Sequence, residues 1–404
     1  MRLRPWLPWL LLLAVPAAAL AAGPAGSKPA AGLFDAETDA YRRLQVEGYD
    51  ALYNMDYADA RTCFEKLRAG FPQHPAPPFY LATTEWIQLL NAKRRLQTGL
   101  YAGQSFFAEG EDKPDPRIDA EFRRLVTASL ELSRAAEARN PRDIAALYYQ
   151  GSAHGLLASY EATVVRSFLP ALRNGLKSMD LSRRIVAMDP KFHDAYLTIG
   201  AYDYIVGSLP FFVKILAAIG GFRGSRERGL AELQRVVDQG RYAQDEARIL
   251  LITFFAREKR WADCLRIVEE LARRFPRNYL FRLEQANLLE KLGRTDRSRE
   301  QFEILLRDPA MQKAADLVHF QYAEALAGRK KFAEAADQYR AAAGAPGAVT
   351  ELATQARLRA GQMLDRLGRR AEAAAEYQEV LRRPNVFDSH ELAKKYLKEP
   401  YEGE

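Results

Sequence analysis

The side chains that could do chemistry in this 404-residue chain are scattered. Five histidines occur, His74, His154, His193, His319 and His390, and none has a second His or a Cys at metal-ligand spacing. Ser389-His390-Glu391-Leu392 begins like a His-Glu-x-x-His zinc signature, but Lys394 stands where the second ligand would have to be. Neither a Gly-x-Ser-x-Gly nucleophile elbow nor a Gly-x-x-x-x-Gly-Lys phosphate loop occurs. Gly220-Gly221-Phe222-Arg223-Gly224 is glycine-rich, yet it follows a predicted helix, whereas a phosphate loop follows a strand. His154, one turn past Gly151 on a predicted buried face, reads as a satisfied core or groove residue. Cys63 and Cys264, the two cysteines, lie some 200 positions apart at small or apolar positions, which excludes a disulfide framework and predicts two buried thiols. The expectation is a protein that is not an enzyme, with no cofactor and no metal.

Recognition chemistry is better represented. Tyr148, Tyr149, Tyr160, Tyr196, Tyr202 and Tyr204 gather in two stretches. Tyrosine offers a large contact area with a polar tip, which suits a binding groove, although its helical spacing also suits core packing, and both roles stay open here. Just downstream, Leu209-Pro210-Phe211-Phe212-Val213-Lys214-Ile215-Leu216-Ala217-Ala218-Ile219-Gly220-Gly221-Phe222 is apolar nearly all round, and Arg223-Gly224-Ser225-Arg226-Glu227-Arg228-Gly229-Leu230 follows. A surface helix would show a single apolar stripe, so this run must be covered by the protein body, a partner or lipid. About 14 apolar residues could lie in a membrane interface but not span it. Tyr149, Tyr160, Tyr202, Tyr204, Phe211, Phe212, Arg223 and Arg226 are the candidate partner-binding residues.

The elements that must position them follow from a repeat. Gly229, Cys264, Ser298, Ala335 and Ala373 are small residues spaced by 35, 34, 37 and 38 positions, and four after each comes Leu233, Val268, Phe302, Tyr339 and Tyr377. A small residue with a large apolar one at i+4 lies on one helix face, admits a second helix closely and fills the groove beside it. Proline closes several units: Pro72 lies twelve after Ala60 and Pro276 twelve after Cys264, while Pro141 and Pro190 precede Gly151 and Gly200 by ten. Almost no segment alternates with period two, so strands are not expected.

This arrangement resembles the tetratricopeptide repeat. The matches are Tyr57-Ala58-Asp59-Ala60 with Phe64 and Pro72, Trp261-Ala262-Asp263-Cys264 with Pro276, Phe332-Ala333-Glu334-Ala335 with Tyr339, and Ala371-Glu372-Ala373 with Tyr377. The resemblance covers roughly residues 37 to 385 in seven or eight units, with a capping helix near Ser389 to Leu397. It implies an all-α fold, a right-handed α-solenoid of tetratricopeptide-type helix pairs with helical inserts in the N-terminal half. The run from Leu209 to Leu230 is similar to a segment of the tetratricopeptide repeat protein 39 family, with Leu-Pro, an apolar run, Gly-Phe and a Gly-Asp-Arg-Glu-x-Gly-Leu element in that order. Ser225 replaces the Asp of that element, and the resemblance supplies no catalytic activity.

The repeat is interrupted where function is most expected. Gly151 to Ser178 spans 27 positions and Gly200 to Gly229 spans 29, against 12 in a plain repeat. Each gap holds Ser followed within three residues by Pro (Ser167-Phe168-Leu169-Pro170 and Ser208-Leu209-Pro210), a pattern that suits the start of a new short helix. A third extension runs from about Lys93 to Pro116. The expected organisation is a signal peptide over 1–22, a flexible linker over 23–36 with folding starting near Phe34, interrupted repeats over 37–228, and a regular array with its cap over 229–404.

Arg2 and Arg4 ahead of the apolar stretch Trp6–Leu20, with Ala19-Leu20-Ala21 as a peptidase pattern, predict an exported protein of the periplasm or cell exterior. The formal charge is +7, or 7 − 2 = +5 without Arg2 and Arg4, and the basic pairs are dispersed, which argues against nucleic acid. The expected function is a non-catalytic scaffold of the cell envelope that binds a protein or peptide in its superhelical groove. The rival reading is a membrane-surface or lipid-associated module using Phe211–Phe222, with peripheral membrane contact.

Overall fold

The computed structural model describes residues 32–96, 113–209, 214 and 223–403, and among them the chain is helical, with no strand. The helices follow one another along the chain. We label them α1 Asp39–Tyr53 and α2 Tyr57–Gly70, α3 Ala76–Ala92 and α4 Pro116–Arg139, α5 Ile144–Tyr160 and α6 Phe168–Met188, and α7 Tyr196–Gly207 and α8 Arg226–Gln239. There follow α9 Gln244–Arg257 and α10 Trp261–Arg274, α11 Tyr279–Lys291 and α12 Thr295–Arg307, α13 Ala315–Gly328 and α14 Phe332–Gly344, α15 Thr350–Arg366 and α16 Arg370–Leu381, and a last helix, α17 Ser389–Lys398. Among the described residues α1 packs on α2, α5 on α6, α7 on α8, α11 on α12, α13 on α14 and α15 on α16, with α17 against α16, as the repeat spacing predicts.

The small-then-large signature has a direct packing cause. A Cβ added to Gly48 of α1 would come within 2.3 Å of the Phe64 ring of α2, and one on Gly361 of α15 within 2.5 Å of the Tyr377 ring of α16. The large residue of each second helix thus sits on a bare patch of the first. Gly229 goes further, because its Cβ would lie 2.5 Å from the Tyr204 backbone nitrogen and 2.6 Å from the Gly200 carbonyl oxygen, atoms that cannot yield. Cys264, Ser298, Ala335 and Ala373 carry a Cβ at the equivalent position and are all fully buried. Gly229→Ala is therefore expected to destabilise the chain by about 1–3 kcal/mol, the usual cost of overpacking, while Ala335→Gly changes the packing little. Urea unfolding followed by the helical circular dichroism signal measures the difference.

Helix starts follow their caps. Asp115 accepts from the Arg117 N–H at 2.8 Å with Pro116 in the first turn of α4, and Asp143 accepts from the Ala145 and Ala146 N–H groups at 3.0 and 3.2 Å at the start of α5.

The interruption after α5 differs from expectation. α5 continues through a π-helical turn over Glu161–Val165, the chain reverses at Arg166 with φ of 63°, and Ser167 then opens α6, 21 residues long, with Pro170 in its first turn. The extra residues extend two existing helices and make no separate short one. Ser208 ends α7, and Pro210–Val213 and Ile215–Phe222 lie outside the described residues, as do the signal stretch and most of the third extension. Cys63 is half-buried and Cys264 fully buried, with no disulfide between them, so the expectation of two buried thiols fails for Cys63. Among the described residues no helix is long and apolar enough to cross a membrane.

By compactness the described chain forms two units, residues 32–91 with 113–260, and residues 92–96 with 261–403. In the second unit Arg94 grips Asp316 through two hydrogen bonds of 2.7 and 3.2 Å, with the two side chains 11% and 2% exposed, and also donates to the Lys313 carbonyl. Asp316 accepts the Val349 N–H ahead of α15 as well, at 3.1 Å.

Candidate functional site

The first helices of the N-terminal unit bring tyrosines from separate repeats together. Tyr80 of α3 and Tyr149 of α5 share a hydroxyl–hydroxyl bond of 3.0 Å, Tyr41 of α1 and Tyr149 pack on His74 at 4.9 and 5.3 Å between ring centres, and Tyr49 of α1 meets Tyr80 edge-on at 5.0 Å. These contacts build a polar aromatic interior in which nearly every hydroxyl is used. Burial drives the Tyr149 phenol far up, so it acts as a neutral donor, and pulls the His74 imidazole down to about 4.

Across this face runs the segment Gly32–Thr38, which enters α1. Leu33–Ala36 is one 3-10 turn, so the last residues of the expected linker are ordered. The Phe34 ring stacks on Phe192 and on Tyr242 at 5.6 and 5.4 Å, with interplanar angles of 24° and 10°. The Leu33 N–H donates to Asp143 at 3.0 Å. Glu37, 3% exposed, accepts from the Tyr242 hydroxyl at 2.8 Å, from Arg241 at 3.3 Å and from the Tyr149 hydroxyl at 3.4 Å. Burial raises the Glu37 carboxyl above its ordinary range, while the Tyr242 bond, Arg241 and the Tyr149 bond pull the other way.

The groups that hold Glu37 are themselves held. Asp194, 4% exposed in the short turn before α7, accepts from the backbone N–H groups of Arg241, Tyr242 and Ala243 at 3.0, 2.8 and 2.9 Å, fixing the chain just ahead of α9. Gly240 is required beside it, since an added Cβ would meet the Val236 carbonyl at 2.5 Å and Asp194 at 3.0 Å. Tyr148 packs on Phe192 and Tyr242 at 5.3 and 5.7 Å, closing the back of the aromatic slot.

Glu246, in the first turn of α9, has a carboxyl pushed up to about 7, first by desolvation and then by the charges of Asp245 and Asp194, with a bond from the Tyr53 hydroxyl offsetting part of this. A carboxyl whose folded pKa lies above its unfolded value keeps its proton longer when folded, so stability falls as pH rises between about 4.5 and about 7 and is level above. Glu246→Gln is expected to raise stability by about 1–3 kcal/mol at pH 8 and to change it little at pH 4.5. Urea midpoints at the two pH values measure this.

The sequence-derived candidates are placed differently from one another. Tyr149, Tyr160 and Tyr204 are 1%, 0% and 1% exposed, which makes them core side chains in this structure. Tyr160 stacks on Phe122 at 3.9 Å beside the Arg123–Glu161 ion pair, and Tyr204 stacks on Phe254 at 3.8 Å and donates to its carbonyl at 3.1 Å. Tyr202 is half-buried under the Arg183 guanidinium at 5.6 Å. Arg223 and Arg226 are exposed. Phe211 and Phe212 lie outside the described residues. Of the six that lie among the described residues, Tyr149 touches the Gly32–Thr38 segment, by its hydroxyl. The residues that sequence reasoning missed are Phe34, Glu37, Phe192, Asp194, Arg241 and Tyr242, whose one local signal was the aromatic Phe34 at the end of a small-residue spacer.

His154 is 5% exposed and its Nδ1 meets Asn174 at 3.0 Å, a satisfied core residue. In the Gly-Ser-Arg-Glu-Arg-Gly-Leu element Ser225 is the N-cap of α8, accepting from the Arg228 N–H at 3.2 Å, a role Ser and Asp share. Gly224 and Gly229 permit close backbone approach to α7, and Arg228 pairs with Asp203, so the described part of this glycine-rich stretch serves helix packing.

The helix pairs with small-on-large packing make this a tetratricopeptide-type helical-repeat fold. Within it, residues 195–342 match the family model described as Iml2/Tetratricopeptide repeat protein 39, so the central segment resembles that family. No curated protein sequence matches the chain. Solved structures similar to it include a tetratricopeptide repeat protein from Parabacteroides merdae (13% identity, 79% of this chain and 99% of that one, TM-score 0.31). Yeast Tom70 is also similar (11% identity, 88% of this chain and 87% of that one, TM-score 0.38), as is a human IFIT1 dimer with PPP-AAAA (14%, 81% and 69%, TM-score 0.30).

Proposed function

We propose that this protein is a non-catalytic interaction scaffold, exported to the periplasm or cell exterior and working at the cell envelope, that binds a protein or peptide on the first-helix face of its N-terminal unit. Tetratricopeptide repeats in general serve protein–protein interaction. One observation carries the choice of face: a short segment of the chain, Gly32–Thr38, with a 3-10 turn over Leu33–Ala36, already lies there and is held by Asp143 and Tyr149 of α5, by Phe192 ahead of α7 and by Tyr242 ahead of α9. Preformed helices that need no rearrangement to receive a peptide bind it with little ordering cost on their own side. The test places a photo-crosslinking amino acid at Arg241, half-exposed at this site, and separately at the exposed Arg382 of the second unit, in the native cell. A protein recovered from position 241 and not from 382 is the expected result, and self-crosslinks alone at 241 would remove the reading. Amino-terminal sequencing of the mature protein checks export, with a new terminus expected at about residue 22–23.

A further inference from the structure

Resting on that reading of the face, we propose that the site recognises a short peptide that takes up a 3-10 turn and carries an aromatic ring followed three residues later by a carboxylate, and that Gly32–Thr38 is a built-in occupant which such a peptide displaces. The contacts define the chemistry. An aromatic slot between Phe192 and Tyr242 takes the ring, Asp143 takes a backbone N–H one residue before it, and Arg241 with the hydroxyls of Tyr149 and Tyr242 takes the carboxylate. Arg241 remains half-exposed while the carboxylate it meets is fully covered, so a positive charge stands at the end where an acidic side chain enters.

Apart from the buried Glu37, the occupant is lightly held compared with its receptor. None of the four residues of its 3-10 turn is buried, Asp35 and Ala36 are exposed, and the ring of Phe34 is only partly covered. Segments with few buried contacts open locally at low free-energy cost. The receptor groups, by contrast, lie at the cap of α5 or within it (Asp143, Tyr149), in the turn between α6 and α7 (Phe192), or on the stretch that Asp194 pins ahead of α9 (Arg241, Tyr242), and none of the backbone bonds that hold these stretches involves the occupant. Displacement of Gly32–Thr38 therefore leaves a formed site. The tether gives the occupant a millimolar effective concentration, so a competing peptide binds the intact protein more weakly than it binds a protein whose own segment is impaired.

The probe is a fluorescein-labelled peptide Gly-Leu-Phe-Asp-Ala-Glu-Thr, the chain's own residues 32–38, titrated by anisotropy into the full-length protein. We expect Phe34→Ala and Glu37→Gln proteins to bind it at least tenfold more tightly than the unaltered protein, and adding Arg241→Ala to Phe34→Ala to lose at least tenfold. A peptide with Ala in place of its Phe is expected not to bind. Equal binding of the two peptides, or no binding to variants that still melt cooperatively, overturns the proposal. Should those variants fail to fold, hydrogen exchange on the unaltered protein decides: millimolar peptide is expected to speed exchange of the Leu33 and Glu37 amides, and unchanged exchange overturns it. If the peptide fails while a crosslinker at Arg241 still captures a protein, the stated chemistry is wrong and the groove reading stands; if both fail, both fall.

Discussion

Asp194→Ala is expected to cost the N-terminal unit about 3 kcal/mol and to abolish the aromatic-and-carboxylate site, although Asp194 touches none of the Gly32–Thr38 segment through the contacts described. Its carboxylate accepts three consecutive backbone N–H groups, those of Arg241, Tyr242 and Ala243, in a place that is 4% exposed. Hydrogen bonds to a charged acceptor contribute about 1.5–3 kcal/mol each, and a donor left unsatisfied in the interior costs about 1–3 kcal/mol. Water entering the space left by the carboxylate satisfies part of that need, which keeps the sum well below three times the single value. Asp194→Asn keeps one oxygen in place and is expected to lose about half as much. Native-state hydrogen exchange at the three amides gives the direct reading: protection there falls by at least a hundredfold in the Ala variant, while amides of α16 are unchanged.

Arg94→Ala is expected to be the most damaging single change in the second unit, at about 3–5 kcal/mol, because it strands a buried charge. Asp316 would keep the Val349 N–H and lose both guanidinium bonds, while the Lys313 carbonyl loses its Arg94 donor as well. Arg94→Lys restores charge but not the bidentate fork, and recovers part of the loss. Replacing both partners, Arg94→Met with Asp316→Leu, removes charge and counter-charge together and is expected to be far milder than either single change. A double-mutant cycle on urea midpoints measures the coupling, and a coupling energy near zero would mean that the pair contributes no interaction of its own.

Both predictions concern acids that sequence inspection passes over. In a chain with 52 acidic residues, Asp194 and Asp316 have nothing local to mark them, since the groups they hold lie 47 to 49 positions away in the first case and 33 and 222 in the second. The candidate tyrosines show the converse. α5 buries residues on every side, from Ala145 and Leu147 to Tyr149, His154 and Tyr160, so apolar spacing could not say which of its faces would be open to a partner.

The sequence by itself determined the repeat: the small residue and the large one four later, the glycines of the first helices and the prolines that close the second ones are local demands of two helices packing at close range. The helix starts at Asp115, Asp143 and Ser225 are local in the same sense, because a cap serves backbone groups only two or three residues away. What only the tertiary structure decided is where the chain lies on itself. Leu33 meets Asp143, 110 positions on, and Glu37 meets Tyr149 and Tyr242, 112 and 205 positions on. Contacts at such separations arise from the stacking of whole repeats, each of which repeats its local pattern without recording which neighbour it will face.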